Sequence, residues 1–524
     1  MSDYRDEEQK QIENMENEAS SYLTAYNRIP YALLSDELNA GDYQRELHLI
    51  YKFYDIYKKG KGFSVEGTNG DYVPATLKYK SVYTLINKEA RFLFAEAPDI
   101  VINPKGDVGK VTTEAKDCLT AWNDLLLTIL QKNKFEKILL QAAKDCFIGK
   151  RVACLVNFNE DDGVTITFLP STQFIYETKI GNANVLTKFV CFIVVRNSST
   201  QADRRVFKKK YTLEDGVVYL EEGMYDGAGR RVSEDEFVFT EKQPVKLKSI
   251  PAVVIVNDGL LGDDSGESEV EFLYDYESYY SKLSNGDIDA QRKSMNPTRY
   301  TVDMDNRSTR TLSTGAGSYW DLMSDQNLDH PTPSVGILES DMKYSDALKV
   351  TLDRIKTAEY EMIDMPNVTL ETMVGAITSG KALKAIYWPL IVRCKEKMKM
   401  WGPQLSAMVD IIIDGALQYP NTIADYVDDV MIPVAYEVSI EQNTPLPEDE
   451  MEEKNMDLSE VQVGVMSKKA YMKKWRGLTD DEVDEELKQM SIEKEIIDYS
   501  VMSSSNSDVN AKPYEEVDEE NVIV

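Results

Sequence analysis

The chain has 524 residues, 42% of them hydrophobic, and 59 Lys and Arg against 90 Asp and Glu give it a net charge of −31. That length fills about two to four domains with genuine cores, and that sign excludes a broad phosphate-gripping surface, which depends on cations that displace counterions. No stretch reaches the roughly 20 apolar residues of a membrane span, the start MSDYRDEEQKQIENMENE is charged where a signal peptide is apolar, and five cysteines without C-x-x-C spacing read as buried thiols in a reducing compartment.

In chain order, apolar residues recur at helical spacing over 43–57, 81–94, 118–131 and 135–147, the last run stopping at Gly149. The texture then switches to short β-rich runs: VACLVNF, GVTITFLP, QFIYET, KFVCFIVVR and RVFKKKYTL. Turn sequences such as NEDDG and EDGV divide them, as in an antiparallel meander. SIPAVVIVNDG, 249–259, reads as a closing buried strand, so residues 1–262 are expected to form one α+β body. Asp264 or Ser265 can cap the next helix, and the acids of its first turn suit the positive end of the helix dipole. Val270, Leu273, Tyr276, Tyr280 and Leu283 make one apolar stripe on it. Residues 291–340, rich in Ser, Thr, Asn, Pro and Gly around short apolar pieces, read as a compact insertion.

A second amphipathic stretch carries Tyr344, Leu348, Leu352, Ile355 and Met362 on one face, with Asp346, Lys349, Asp353 and Lys356 elsewhere. MPNVTLETMVGAITSG breaks that pattern, and a long helix is expected from about 380 to 417, kinked by Pro389 and Pro403. Residues 430–447 read as one more strand, returning to the sheet of the first body. Polar helices broken near Gly477 follow. From 441 to 524 there are 23 acidic and 9 basic residues, and 503–524 read as a disordered acidic tail.

GAITSGKALK, 375–384, has the G-x-x-x-x-G-K spacing of a phosphate-binding loop. Such a loop needs a buried strand before it and a hydroxyl after its lysine for Mg²⁺. Ala382 follows Lys381, and the lead-in with Pro366, Asn367, Thr369, Glu371 and Thr372 is not a β-rich apolar run. The two histidines, His48 on a Tyr- and Leu-rich helix and His330 before a proline, lie beside no motif-level nucleophile, and H-x-x-H, H-E-x-x-H and EF-hand spacings are absent. Neither a cofactor nor a metal is expected. An NTPase using Lys381 and a capsid or tail adaptor without a through-channel are the alternatives on the residues alone.

The order of elements is an α+β body, a helix, a small insertion, a second helix, a Gly/Ser/Thr loop, a long helix, a returning strand and a polar helical end. It resembles the portal proteins, or head-to-tail connectors, of tailed double-stranded DNA bacteriophages. IDMPNVTLETMVGAITSGKALKAIYWPL, 363–390, is similar to that family's PdlsdenfsGnaSGvAlkyk segment, with Pro366, Gly375, Ser379, Gly380, Ala382, Leu383 and Lys384 in matching places. SIPAVVIVNDG followed by EVEFLYDYESYYSKLSNGDID is similar to the strand and helix before the family's clip. The clip sequence GAGSYWDLMSDQNLDHPTP has no such match.

The resemblance implies the portal fold: a ring, typically of twelve subunits, around a central channel. It implies a wing over 1–262 with a return strand at 431–447, stem helices at 263–290 and 341–363, and a clip at 291–340. A tunnel loop at 364–380, a long kinked helix at 381–418 and a crown at 448–502 complete it. Its implied partners are a terminase large subunit, head-completion adaptors, major capsid and scaffolding proteins, and double-stranded DNA passing through without sequence preference. The location implied is the portal vertex of the virion after assembly in the host cytoplasm, with no membrane contact. Val368, Thr369, Thr372, Gly375, Thr378, Ser379, Gly380, Lys381 and Lys384 fall on the tunnel loop, and Lys343, Lys349 and Lys356 are candidate channel-lining lysines of the stem. A duplex carries one negative charge per roughly 1.7 Å of axis, so a mostly acidic wall lets it slide without capture. Gly375 and Gly380 suit a bending loop, and Thr378 or Ser379 a cap for the helix that follows. A ring would also let neighbouring subunits bury Leu273, Tyr276, Leu348 and Ile355.

Overall fold

The structure is a computed structural model that describes residues 29–60, 74–105, 113–196, 202–260, 265–295, 298–305, 323–368, 380–424, 435–443 and 450–492, with short breaks near 36–39, between 326 and 341, and at 480–481 and 491. It forms two compact units, Met1–Thr372 with Ile386–Pro445, and Met373–Ala385 with Leu446–Val524.

The larger unit begins with α1 (Tyr31–Ser35), α2 (Ala40–Lys59), α3 (Ser81–Phe94), β1 (Asp99–Pro104), α4 (Thr113–Lys132) and α5 (Phe135–Gly149). Phe135, Leu139, Ala142, Ala143, Cys146 and Phe147 recur three and four apart, so α5 buries one continuous face. Its last residue has to be glycine. A Cβ on Gly149 would run into the Ser171 hydroxyl, and Lys150 then takes a left-handed φ of 70° that turns the chain into the first sheet.

Two antiparallel sheets follow. One has the order β3 (Gly163–Pro170), β2 (Arg151–Asn159), β9 (Ala252–Val256); the other runs β4 (Phe174–Lys179), β5 (Asn182–Arg196), β6 (Arg205–Glu214), β7 (Val217–Asp226), β8 (Thr240–Val245). Side chains alternate across a strand, and here both faces of the larger sheet are covered. Phe189 and Cys191 join Leu155, Leu169, Phe174 and Tyr211 in the core between the sheets, while Val190 and Phe192 pack with Ile29, Leu33, Leu47, Tyr51 and Val206 beneath α1 and α2. That is why the run KFVCFIVV is apolar without a gap. The tight β6–β7 connection is Asp215–Gly216, both at positive φ, the conformation a two-residue hairpin demands. All five cysteines are free and buried.

The next helix, α6 (Glu269–Met295), buries Val270 and Leu273 within the chain itself, without help from a neighbouring subunit. Tyr276, Tyr280 and Leu283 are only half-buried. The buried stripe turns polar instead: Glu277, Ser281, Ser284, Asn285 and Asp289. Its partner is the backbone of residues 75–82. The Ala75 amide donates to Asp289 at 2.8 Å, Leu77 exchanges two 2.8 Å hydrogen bonds with Asn285, and the Val82 amide donates to Glu277 at 2.9 Å. Four residues of helix rise about 6 Å and two residues of extended chain about 6.6 Å, so the two spacings stay in step. Glu277 thereby caps α3, whose own N-cap residue Lys80 makes no side-chain cap.

Strands β10 (Thr298–Val302) and β11 (Ser334–Leu338) pair antiparallel inside the expected insertion. Helix α7 (Ser345–Glu361) returns along α6, where the Tyr344 hydroxyl donates to Asp287 at 3.3 Å. Leu348, Leu352 and Ile355 are half-buried. The long helix expected from 380 is two helices, α8 (Gly380–Ile386) and α9 (Trp388–Gln418). Tyr387 breaks them, so Pro389 sits in the first turn of α9, where its missing N–H costs nothing, and only Pro403 is internal. Gly415 of α9 is set against the Phe158 ring so closely that any Cβ there would overlap it. Strand β12 (Tyr436–Glu441) pairs with β1 from Asp99↔Glu441 to Pro104↔Tyr436, in a two-stranded sheet apart from the five-stranded one.

In the smaller unit α10 (Glu450–Val463) and α11 (Lys468–Arg476) are joined by Trp475 Nε1 donating to Asp457 at 2.8 Å and by Lys474 on the same carboxylate. Ser467 caps α11 at its start and Gly477, at φ 65°, at its end.

Candidate channel site and its anchor

The outer face of α7 carries Asp346, Lys349, Val350, Asp353, Arg354, Lys356 and Glu361, all exposed. Lys349 and Lys356 are seven residues apart, two helical turns, and so lie on one line with Asp353 beside them. Lys343, just before α7, is exposed too. This face alternates in sign. It can touch a polyanion weakly and hold it nowhere.

Beyond α7 the chain is tied down at once. Ile363 and Met365 are buried, and Asp364 between them, at φ 53°, brings a carboxylate oxygen 3.8 Å from Arg393. Pro366 to Val368 then run without regular structure. Thr369, Thr372, Gly375, Thr378 and Ser379 lie outside the described residues. Gly380 is the first residue of α8, Lys381 lies on that helix, and Lys384 is exposed on it. His48 is half-buried on α2, and His330 lies outside the described residues.

What the structure brings together was not singled out from the sequence. Arg393 of α9 binds Glu89 of α3 at 2.8 Å and Glu269, the first residue of α6, at 2.6 Å. One turn on, Lys397 binds Glu269 at 2.6 Å and the side-chain Oδ1 of Asn257 at 2.9 Å, and lies 4.5 Å from the Phe147 ring centre. Two carboxylates and two cations make the buried cluster neutral, which is what a low-dielectric interior requires. Burial raises the Glu269 carboxyl, but Lys397 and Arg393 outweigh it and hold the group below its ordinary range. Glu89 is pushed up, by burial first and then by the charge of Glu269. Lys397 is raised: burial opposes its charge, and Glu269 and Glu89 more than restore it. The nearby Cys394 thiol is pushed up to about 12 by burial, so it is no nucleophile. The cluster is a clamp. It fastens the start of α6, the exit of α7, α3 and α9 to one another.

A sequence signal for it existed. Leu390, Cys394, Lys397 and Trp401 recur at four, three and four residues on the buried face of α9, so a cation interrupts an apolar stripe. Its two acidic partners lie 128 and 308 residues away in the chain, which no periodicity reveals.

A family model described as "Phage portal protein, SPP1 Gp6-like" matches residues 38–498. No curated protein matches the chain.

Proposed function

The chain belongs to the phage portal protein family, and on that premise we propose that it closes into a ring at one capsid vertex through whose bore viral DNA is packaged and later ejected. The observation that carries this reading is the family match across 461 of 524 positions, 38–498. Members of that family are structural rather than enzymatic. In this reading α6 and α7 are the stem, β10 and β11 belong to the clip, residues 364–380 form the tunnel loop, α9 is the helix behind it, and α10 and α11 belong to the crown. The stem's outer face, with Lys343, Lys349 and Lys356, and the loop residues Val368 to Lys384 meet the passing duplex. A net charge of −31 keeps that contact repulsive on average.

The ring docks a terminase first and head-completion proteins later, and resides in the virion; among the described residues no helix is long and apolar enough to cross a membrane. The G-x-x-x-x-G-K spacing serves a hinge and a helix start: Ala382 follows Lys381 where a phosphate-binding loop needs a hydroxyl. Electron microscopy of the purified chain should show rings with a central hole, and solid discs or monomers at every concentration would defeat the proposal. Deleting residues 368–378 should stop DNA packaging while rings still form; normal packaging would remove the loop from the mechanism. ATP turnover should stay at background.

A further inference from the structure

The face of the five-stranded sheet beneath α1 and α2 carries a row of cations. Arg204, just ahead of β6, and then Val206, Lys208 and Lys210 alternate onto one face, a row about 20 Å long. Lys188 of β5 joins it. Glu37 receives three ammoniums, Lys208 at 2.6 Å, Lys188 at 3.1 Å and Lys210 at 3.3 Å, and Glu177 adds a rim contact to Lys188 at 3.2 Å. Two carboxylates serve three lysines here. Arg204 increases the imbalance, because it is 6% exposed and its Nε and Nη2 have no hydrogen-bond partner among the described residues. Burial lowers its pKa, with Tyr51 the one group acting the other way. A buried guanidinium without an anion is a costly arrangement, and it occurs in a chain that is otherwise strongly acidic.

The chain also supplies the missing charge next to the row. Ile29, the first described residue, packs with Leu33, Tyr51, Phe192 and Val206, so the described chain begins in the cluster that holds Val206, two residues from Arg204. Residues 1–28 include Asp3, Asp6, Glu7, Glu8, Glu13, Glu16 and Glu18 against Arg5, Lys10 and Arg28. The ten residues from 18 to 28 can span up to about 33 Å, enough to reach the whole row. The flanking segment 197–201 contains no carboxylate, and 36–39 adds Asp36 to Glu37, which with Glu177 makes three carboxylates against the four cations of the row.

We propose that Arg204, Lys208, Lys210 and Lys188 form a carboxylate-binding track occupied by the acidic residues 3–18 of the same chain. Charge-assisted hydrogen bonds along the track fasten this segment to β6, and high salt loosens it. A water-soluble carbodiimide on the full-length chain, which joins touching carboxylates and amines as amides, tests this by peptide mass spectrometry. The Glu37–Lys208 link is the internal control for a folded cluster. Links from Lys188, Lys208 or Lys210 to residues 3–18 are expected, with their yield falling about tenfold in Arg204→Gln while the Glu37–Lys208 link persists. The control link alone would overturn the proposal, as would an unchanged yield in Arg204→Gln. In a mixture of ¹⁵N-labelled and unlabelled chains the links must join like isotopes; hybrid links would overturn the same-chain assignment.

Discussion

Arg393 of α9, half-buried, and Glu269, fully buried in the first turn of α6, lie 2.6 Å apart. Breaking one side of a buried pair leaves an uncompensated charge, worth about 3–5 kcal/mol. Arg393→Met should therefore lower the urea midpoint severely. Adding Glu269→Gln should cost much less than its own single-variant loss, because Lys397 is then left with Glu89 alone and the excess negative charge is gone. Strict additivity of the two in denaturation would show that they do not act as a pair.

Stability should also fall as pH rises, through a carboxyl on α7. Glu359 of α7 is 3% exposed, and burial, with Glu277 next, pushes its carboxyl from 4.5 to about 7, against the lowering effect of Ser81 and Lys356. A raised carboxyl is more protonated folded than unfolded between those values, so its contribution is full below about 4.5 and is lost as pH rises to about 7. Asp145, raised to about 6 mainly by burial, slopes the same way. The measurement is thus a difference: wild type should lose on the order of 2 kcal/mol more than Glu359→Gln across that window. Parallel melting curves against pH would exclude Glu359 as the titrating group.

Asn285 is the central tooth of the α6 zipper. Asn285→Ala removes both hydrogen bonds to Leu77 and leaves a backbone donor and acceptor unpaired, a loss of about 2–4 kcal/mol. Hydrogen exchange at the Leu77 amide should accelerate by orders of magnitude in step with it. Unchanged exchange would mean that the extended segment is held by other contacts.

Gly415→Ala should cost about 1–3 kcal/mol through overlap with the Phe158 ring. In a Phe158→Leu background the same change should cost clearly less, since the ring is gone. An equal penalty in both would place the strain in the helix backbone.

For the α7 face proposed to line a channel, Lys349→Glu with Lys356→Glu should leave ring assembly intact, because both side chains are exposed, and reduce the amount of DNA packaged. Rings that package normally would mean that this face does not meet the duplex.

The periodicities alone were enough for α2 to α5, for the β-rich meander with its Asp215–Gly216 turn, and for the existence of α6 and α7, because each is dictated by neighbours in the chain: apolar spacing, turn chemistry, proline and glycine. The same local rules misjudged α6, whose buried stripe is Glu277, Asn285 and Asp289, since polar side chains look solvent-facing until a stretch of unpaired backbone is laid against them. They also joined α8 to α9, where the turn at Tyr387 lets Pro389 open a new helix.

What the sequence determined by itself was the acidic balance, the α+β order of elements and the resemblance to the portal family, which a match over 38–498 bears out. Only the tertiary structure decided which charges are buried together. Glu89, Glu269, Arg393 and Lys397 are ordinary charged letters until three distant segments converge and exclude water, and it is that exclusion, a property of the packed chain, that makes their pairing strong.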